Sequence, residues 1–390
     1  MKSFPDSANR VLISAAALKA NYRLMSTTLP PGTPLLAMVK ADGYGHGMID
    51  AAQTFSAVGC RHFGVAELPE AARLRTAGID GEILVMAGLL PGQEEYFAKY
   101  NLSAAVYSIE SAQLLSAAGE AAGRTVSAHI KIDCGMTRLG ITPEESVAFA
   151  QAINHLPGLK VVGFFAHFPE ADSPKQSSNQ RVFDTFSAAS AALKRALGLS
   201  PRRHLANSGG IINLPSAHFD MARSGIALYG YTPDGVSQHA IIRGQPLQPA
   251  MRFVSRVLQV KDVAAGRGVS YGHTFITTRP SRLAVLPVGY EDGYQRALSN
   301  KADVLIRGRR ARIVGRICMN LCMVDVTDIP ETAAGDEVVL IGRQGNECVS
   351  ADELAERAGT ISYELLCMIG NNNQRELKNY DDSVADTCGG

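Results

Sequence analysis

The sequence predicts an α/β protein: an N-terminal (β/α)8 barrel over residues 1–243, a C-terminal mostly-β domain over 244–375 and a flexible tail over 376–390. Three observations lead there. Short apolar runs alternate with Ala/Leu-rich helical stretches up to about residue 230. Those runs are continuous instead of alternating, the mark of a parallel sheet buried on both faces. Beyond about residue 240 the helical spacing gives way to strand patterns punctuated by glycine and proline.

The apolar runs fall at 35–40, 63–66, 83–87, 104–107, 128–133, 161–167, 204–207 and 219–223. Segments between them, such as LPEAARLRTAG and QRVFDTFSAASAALKRALG, are apolar at helical spacing and end at glycine. Eight strand–helix units fit a closed barrel better than an open sheet. The segment TPDGVSQHAIIRGQPLQP joins this unit to strand candidates at 251–260, 283–288, 303–306, 310–316, 323–326 and 337–341. In that second unit only 351–358 reads as a helix, and the polar stretch after Arg375 reads as a loose tail.

At 390 residues the chain exceeds one average domain, and 46% hydrophobic with 19% charged residues excludes a disordered composition. A net charge of +1 offers no basic footprint for nucleic acid or an acidic membrane, so a small-molecule ligand is expected. The opening MKSFPDSANRVLIS lacks the apolar core of a signal peptide or a membrane span, and a cytoplasmic location is expected. Seven scattered cysteines read as reduced thiols and not as a disulfide framework. Cys318 and Cys322 lack accompanying histidines at ligand spacing, so no metal is expected.

Catalytic groups of a barrel sit at the C-terminal ends of its strands. Lys40 closes the first run, in LLAMVKADGYGHG. A lysine there is costly unless its charge is used or removed, and condensation with an aldehyde removes it. Read alone, Lys40 is equally a solvated strand-end lysine, and glycines 43, 45 and 47 mark only a loop.

AMVKADGYGHG resembles the cofactor-attachment segment of the alanine racemases. The similarity continues in order through KIDCGMTRLG, FAHF, ANSGG, MARSGIALYG, VSYGHTF, PVGYEDG and VGRICMN. It implies a pyridoxal 5'-phosphate enzyme interconverting L- and D-alanine, for peptidoglycan supply, with Lys40 carrying the cofactor and Tyr44 touching its phosphate. It further implies that His167 stacks on the pyridine ring. Ser208 with the backbone of Gly225 and Ile226 binds the phosphate, and Asn207 supports those contacts. Without the resemblance, His167 reads as a structural histidine and Asn207–Ser208 as a helix cap.

By the same resemblance Arg223 hydrogen-bonds the pyridine nitrogen. Guanidinium only donates, so that nitrogen must stay unprotonated, which favours racemisation over transamination. In isolation Arg223 reads as a rim salt bridge. Racemisation needs a base on each face of the α-carbon. Lys40 serves one, and Tyr271, brought by the partner subunit of a homodimer, serves the other. A tyrosine of ordinary pKa near 10 needs cationic or hydrogen-bonded neighbours for that task, and alone Tyr271 reads as a strand-end aromatic. Met319 and Tyr290 match further partner contributions, and Asp172 is placed at the entrance. Lys131 matches a lysine that is often carbamylated and holds Arg138 near the substrate carboxylate. A direct interaction of Lys131 with Asp133 is the alternative.

Two departures stand out. Asn320 replaces a usual aspartate, and Asn371, in ISYELLCMIGNNNQR, stands near where the family has a tyrosine at the entrance. Asparagine there is reminiscent of serine racemases of the same fold, so a serine-preferring or broad-spectrum racemase is the alternative reading. A decarboxylase of similar architecture and a non-catalytic cofactor-binding protein complete the set. Arg223 and the racemase-like β segments speak against the former, the full β domain carrying Tyr271 against the latter.

Overall fold

Continuous apolar runs cannot leave either face in water, and they wrap into a barrel. The computed structural model describes residues 7–173, 177–235, 237 and 241–378. After an opening strand β1 (Arg10–Ser14), eight strands follow: β2 (Leu35–Met38), β3 (His62–Val65), β4 (Glu82–Val85), β5 (Ser103–Val106), β6 (Val126–Lys131), β7 (Leu159–Phe165), β8 (Arg202–His204) and β9 (Ala222–Ser224). They run parallel in the spatial order β8-β7-β6-β5-β4-β3-β2-β9 and form a nearly closed barrel. Across the gap, the Arg223 amide donates to the Ala206 carbonyl at 2.9 Å. Every strand overlaps its expected run. Strands β2 and β5 are buried at every position, as a sheet covered on both faces requires.

The intervening helices start where the sequence supplies caps. Ser14 Oγ accepts from the Ala17 amide at 3.1 Å to open Ala15–Thr28, and Ser108 does the same for Ile109–Ala121. In Leu68–Thr76 a Glu67/Glu70 capping box precedes Leu68, Ala71 and Leu74, whose spacing buries one face.

The second unit is built on a sheet in which Arg309–Arg312, Asp303–Ile306, Glu337–Gln344 and Met251–Arg256 are successive neighbours. A smaller sheet pairs Gln259–Val263, Ser281–Leu286 and Cys322–Asp325. Three features depart from the sequence expectations. Strand β1 lies within the stretch assigned to the barrel, yet it pairs with Met251–Arg256 and with Gln374–Lys378 of the second unit. Residues 376–378, assigned to the loose tail, therefore end a strand, while the remainder of that tail lies outside the described residues. A second helix, Ser362–Asn372, was not expected; its buried Leu365, Leu366 and Ile369 give it a helical stripe.

Cys60, Cys134, Cys318, Cys322 and Cys367 are free thiols. Cys348 is disulfide-bonded, against the expectation of reduced thiols throughout, because spacing excludes a framework of bridges but not a single one. Among the described residues no helix is long and apolar enough to cross a membrane, and no cluster of His, Cys, Asp or Glu could hold a metal ion.

Candidate active site

A cavity with about 430 Å³ of water-accessible space opens at the C-terminal mouth of the barrel. Lys40 and Tyr44 enter it from the turn after β2, and Lys131 and Arg138 from the end of β6 and its loop. His167 follows β7, Asn207 and Ser208 follow β8, and Arg223, Gly225 and Ile226 come from β9 and the turn beyond it. Ten of the expected site residues thus converge on one cavity.

Lys40 begins an unusual turn. Ala41, Asp42, Gly43, Tyr44 and Gly45 all have positive φ, between 50° and 81°. Left-handed backbone at non-glycine residues costs about 1–3 kcal/mol each and persists only where surroundings enforce it. Here Glu70 Oε1 accepts from the Ala41 amide at 2.7 Å, and Asp42 Oδ1 accepts from the Met48 amide at 3.0 Å. Arg375, from the second unit, donates to the other Asp42 oxygen, and this guanidinium helps hold the carboxyl below its ordinary pKa against its own desolvation. The turn aims both Lys40 and Tyr44 into the cavity. Burial lowers the Lys40 pKa, and the Arg138 cation lowers it further, so its amine deprotonates more readily than a surface lysine.

On the rim beside β9, Ser208 Oγ accepts from the amides of Gly225 at 2.9 Å and Ala227 at 3.4 Å. Asn207 caps the helix Ser208–Asn213 by accepting from the Gly210 amide at 2.9 Å, so the capping role read from sequence coexists with a place on the cavity wall. A Cβ added at Gly225 would lie 2.3 Å from Tyr44 Oη. Only glycine lets the phenol reach this loop. The Tyr44 ring is itself fixed, stacked on Tyr229 at 4.9 Å.

Both terminal nitrogens of Arg223 are engaged. Its Nη1 donates to the His204 carbonyl at 2.7 Å and to His204 Nδ1 at 3.0 Å; its Nη2 donates to the Ala166 carbonyl at 2.7 Å and approaches His167 Nδ1 at 3.3 Å. No carboxylate touches it among the described residues, and burial pulls its pKa to about 9. His167 is held well below its usual pKa by burial and by the adjacent Arg223 cation, so the imidazole is neutral.

Lys131 Nζ lies 4.5 Å from the centre of the Phe165 ring. Desolvation, with Arg223 and Arg138, brings its pKa to about 7. The expected alternative partner, Asp133, instead accepts from the backbone amides of Gly135, Met136 and Thr137 at 2.9–3.0 Å. The cavity therefore gathers Lys40, Lys131, Arg138 and Arg223 without a paired carboxylate among the described residues, a wall suited to anionic groups.

The remaining expected residues are elsewhere. Tyr271, Met319 and Tyr290 are 71%, 54% and 40% exposed on the second unit, outside this cavity. Asn320 bonds Glu291, and Asp172 is exposed beside the cavity's Tyr363. Asn371 is exposed and accepts from Arg375 at 3.2 Å. A tyrosine does line the cavity from the same helix: Tyr363, whose ring lies 6.1 Å from that of Tyr44. Sequence reasoning missed it, together with Cys367 one turn on. The signal was the spacing of Tyr363 and Cys367 on a face separate from Leu365, Leu366 and Ile369.

Comparison with known proteins decides the kinship. Residues 13–233 match the alanine racemase N-terminal domain and residues 250–377 the alanine racemase C-terminal domain. The chain belongs to the alanine racemase family. Among its relatives, the alanine racemase of Desulfovibrio desulfuricans is 44% identical over 92% of this chain and 95% of its own length. That of Syntrophobacter fumaroxidans is 42% identical over 95% and 97%. The crystal structure of the Streptomyces lavendulae alanine racemase superposes with a TM-score of 0.89 at 33% identity, covering 98% of this chain and 99% of that one. The Bartonella henselae alanine racemase, solved with covalently bound pyridoxal phosphate, has a TM-score of 0.85 at 30% identity, covering 96% and 100%.

Proposed function

We propose that this protein is a pyridoxal-phosphate-dependent alanine racemase working as a homodimer in the cytoplasm. The observation that carries the reading is one cavity holding a desolvated lysine, a Ser/Gly amide turn and a buried arginine, in a member of this family. The donor set fits the cofactor. Lys40 would hold it covalently, Ser208 with the Gly225–Ile226 backbone, Tyr44 and Tyr363 would bind its phosphate, and Asn207 supports that turn. Arg223 would donate to the ring nitrogen, and His167 would pack against the ring. When bound, the cofactor withdraws electrons from the substrate's Cα–H bond.

The chain's own residues then handle the proton. Lys40 Nζ, its pKa lowered, takes or returns it on one face of the α-carbon. Tyr271 of the partner subunit serves the opposite face. Its exposure and its place outside the cavity of its own chain support that assignment, and Met319 and Tyr290 of the partner subunit accompany it. Asp172 and Asn320 remain assigned to the entrance, and the β domain that carries Tyr271 runs from 244 through the strand ending at Lys378, with β1 joined to its sheet. Arg138 holds the substrate carboxylate. Lys131, with a pKa of about 7, has a large neutral fraction at neutral pH; its Nζ adds to CO₂ and loses a proton, and the carbamate faces Arg138. The serine-preferring alternative rested on Asn371. A tyrosine, Tyr363, lines the cavity from the same helix, and the similar proteins are alanine racemases, so alanine stands as the substrate. Chiral analysis of L-alanine incubated with the purified protein and the cofactor tests the proposal. D-alanine must accumulate to near equality, and its absence with L-alanine overturns the reading.

A further inference from the structure

A chain of buried side chains runs from Arg223 through the barrel interior to the opposite face. His204 Nδ1 receives Arg223 Nη1 at 3.0 Å, and His204 Nε2 lies 2.9 Å from His129 Nδ1. His129 Nε2 lies 2.8 Å from Glu82 Oε1, and Glu82 Oε2 accepts from Arg202 Nη2 at 2.7 Å and from His62 Nδ1 at 3.0 Å. The fold makes room for this path. The β6–β7 register slips between Ala128 and His129, an irregularity that skips Val162 of β7 and sets Gly163 opposite the histidine, where a Cβ would lie 2.2 Å from His129 Nδ1. His204 is stacked in turn on Phe165, the rings 5.0 Å apart at an interplanar angle of 7°.

The two ends dictate every proton between them. Arginine only donates, so His204 Nδ1 must accept, and its proton sits on Nε2. That forces His129 Nδ1 to accept and its Nε2 to donate to the carboxylate. We infer that Glu82 is the remote positioning residue for Arg223, fixing both histidines as neutral Nε2–H tautomers so that the arginine can only donate toward the cavity. His204 is also held well below its ordinary pKa by burial and by Arg223, which keeps it neutral. A glutamine at position 82 has one acceptor oxygen for two opposed demands. Arg202 and His62, which both donate to one Glu82 oxygen, hold that acceptor, so the amide donates to His129 and the polarity of the whole chain reverses, setting a His204 Nδ1–H against Arg223.

The functional half rests on Arg223 facing the cofactor ring, but the proton positions can be read without cofactor. The experiment is ¹⁵N NMR of histidine-labelled protein before and after loading with ring-¹⁵N pyridoxal phosphate, for wild type, Glu82→Gln and Glu82→Asp. Wild type without cofactor must show His204 and His129 as Nε2–H tautomers. In Glu82→Gln the His204 proton moves to Nδ1 and the ring nitrogen resonance of the loaded protein shifts, while Glu82→Asp retains the wild-type pattern. An Nδ1–H tautomer or an imidazolium at either histidine in wild type overturns the inference, even if Glu82→Gln fails to fold. So does a folded Glu82→Gln protein with unchanged tautomers. An unshifted ring resonance despite reversed tautomers removes the link to the cofactor and leaves the racemase reading untouched.

Discussion

Replacing Gly225 with alanine tests whether the Tyr44–Gly225 approach builds the phosphate site. The new Cβ would sit 2.3 Å from Tyr44 Oη and 3.0 Å from Cζ, where ordinary contact begins near 3.4 Å. The phenol must therefore retreat by roughly 1 Å, yet its ring is stacked on the buried Tyr229 and is 7% exposed. Overpacking of this kind costs about 1–3 kcal/mol. At about 2.1 cal/mol/K per residue, the unfolding entropy of 390 residues is about 0.8 kcal/mol/K, so Tm should fall by about 1–4 °C. The larger effect falls on the cofactor. Displacing one hydroxyl and the loop amides weakens its binding by about 1–3 kcal/mol, or about 5- to 150-fold in Kd. Absorbance titration of cofactor-free protein measures this. Adding Tyr44→Phe to Gly225→Ala deletes the clashing oxygen; it should recover most of the lost Tm but not the lost affinity. Wild-type affinity in Gly225→Ala, or no thermal recovery in the double variant, refutes the reasoning.

Other expectations follow from the same geometry. Tyr271→Phe should lower racemisation by about 10²- to 10⁴-fold, while Cα–H exchange with deuterated solvent persists for one alanine enantiomer; equal loss of exchange for both removes the two-base assignment. With a pKa of about 7, Lys131 should carry a carbamate at pH 8 with bicarbonate present and lose it as pH falls below 7, visible as ¹³C label in NMR; an unlabelled lysine at pH 8 contradicts this. The Asp42 carboxyl has a folded pKa below its unfolded value, so its contribution to stability is present above about pH 4 and lost as pH falls through the folded pKa. Asp42→Asn should therefore reduce Tm at pH 7 and flatten the acid limb of the Tm–pH curve, and an unchanged limb argues against the clamp.

The barrel was legible because each β strand from β2 to β9 carries its own local apolar signal. The pairing of β1 was not, since Arg10 meets Gln374 through contacts that no local window contains. The left-handed run at Ala41–Tyr44 was visible only as scattered glycines; Glu70 and Arg375, which enforce it, are distant in sequence. Cavity residues could be named because the family's segments identify them one at a time. Tyr363 escaped because an expectation of tyrosine at Asn371 drew attention to the wrong end of its helix. Glu82, His129 and His204 looked like unrelated strand residues, and only the barrel's curvature joins them into one path to Arg223.

Subunit complementation tests the central claim most directly, that Lys40 of one chain and Tyr271 of another complete a single site. Lys40→Ala and Tyr271→Phe proteins, each nearly inactive, are unfolded, mixed in equal amounts and refolded together. Random pairing makes about half of the dimers mixed, and each mixed dimer holds one intact site, so racemase activity should return to about a quarter of wild type. If the mixture stays as inactive as its two components while mixed dimers form, the two residues do not meet across subunits.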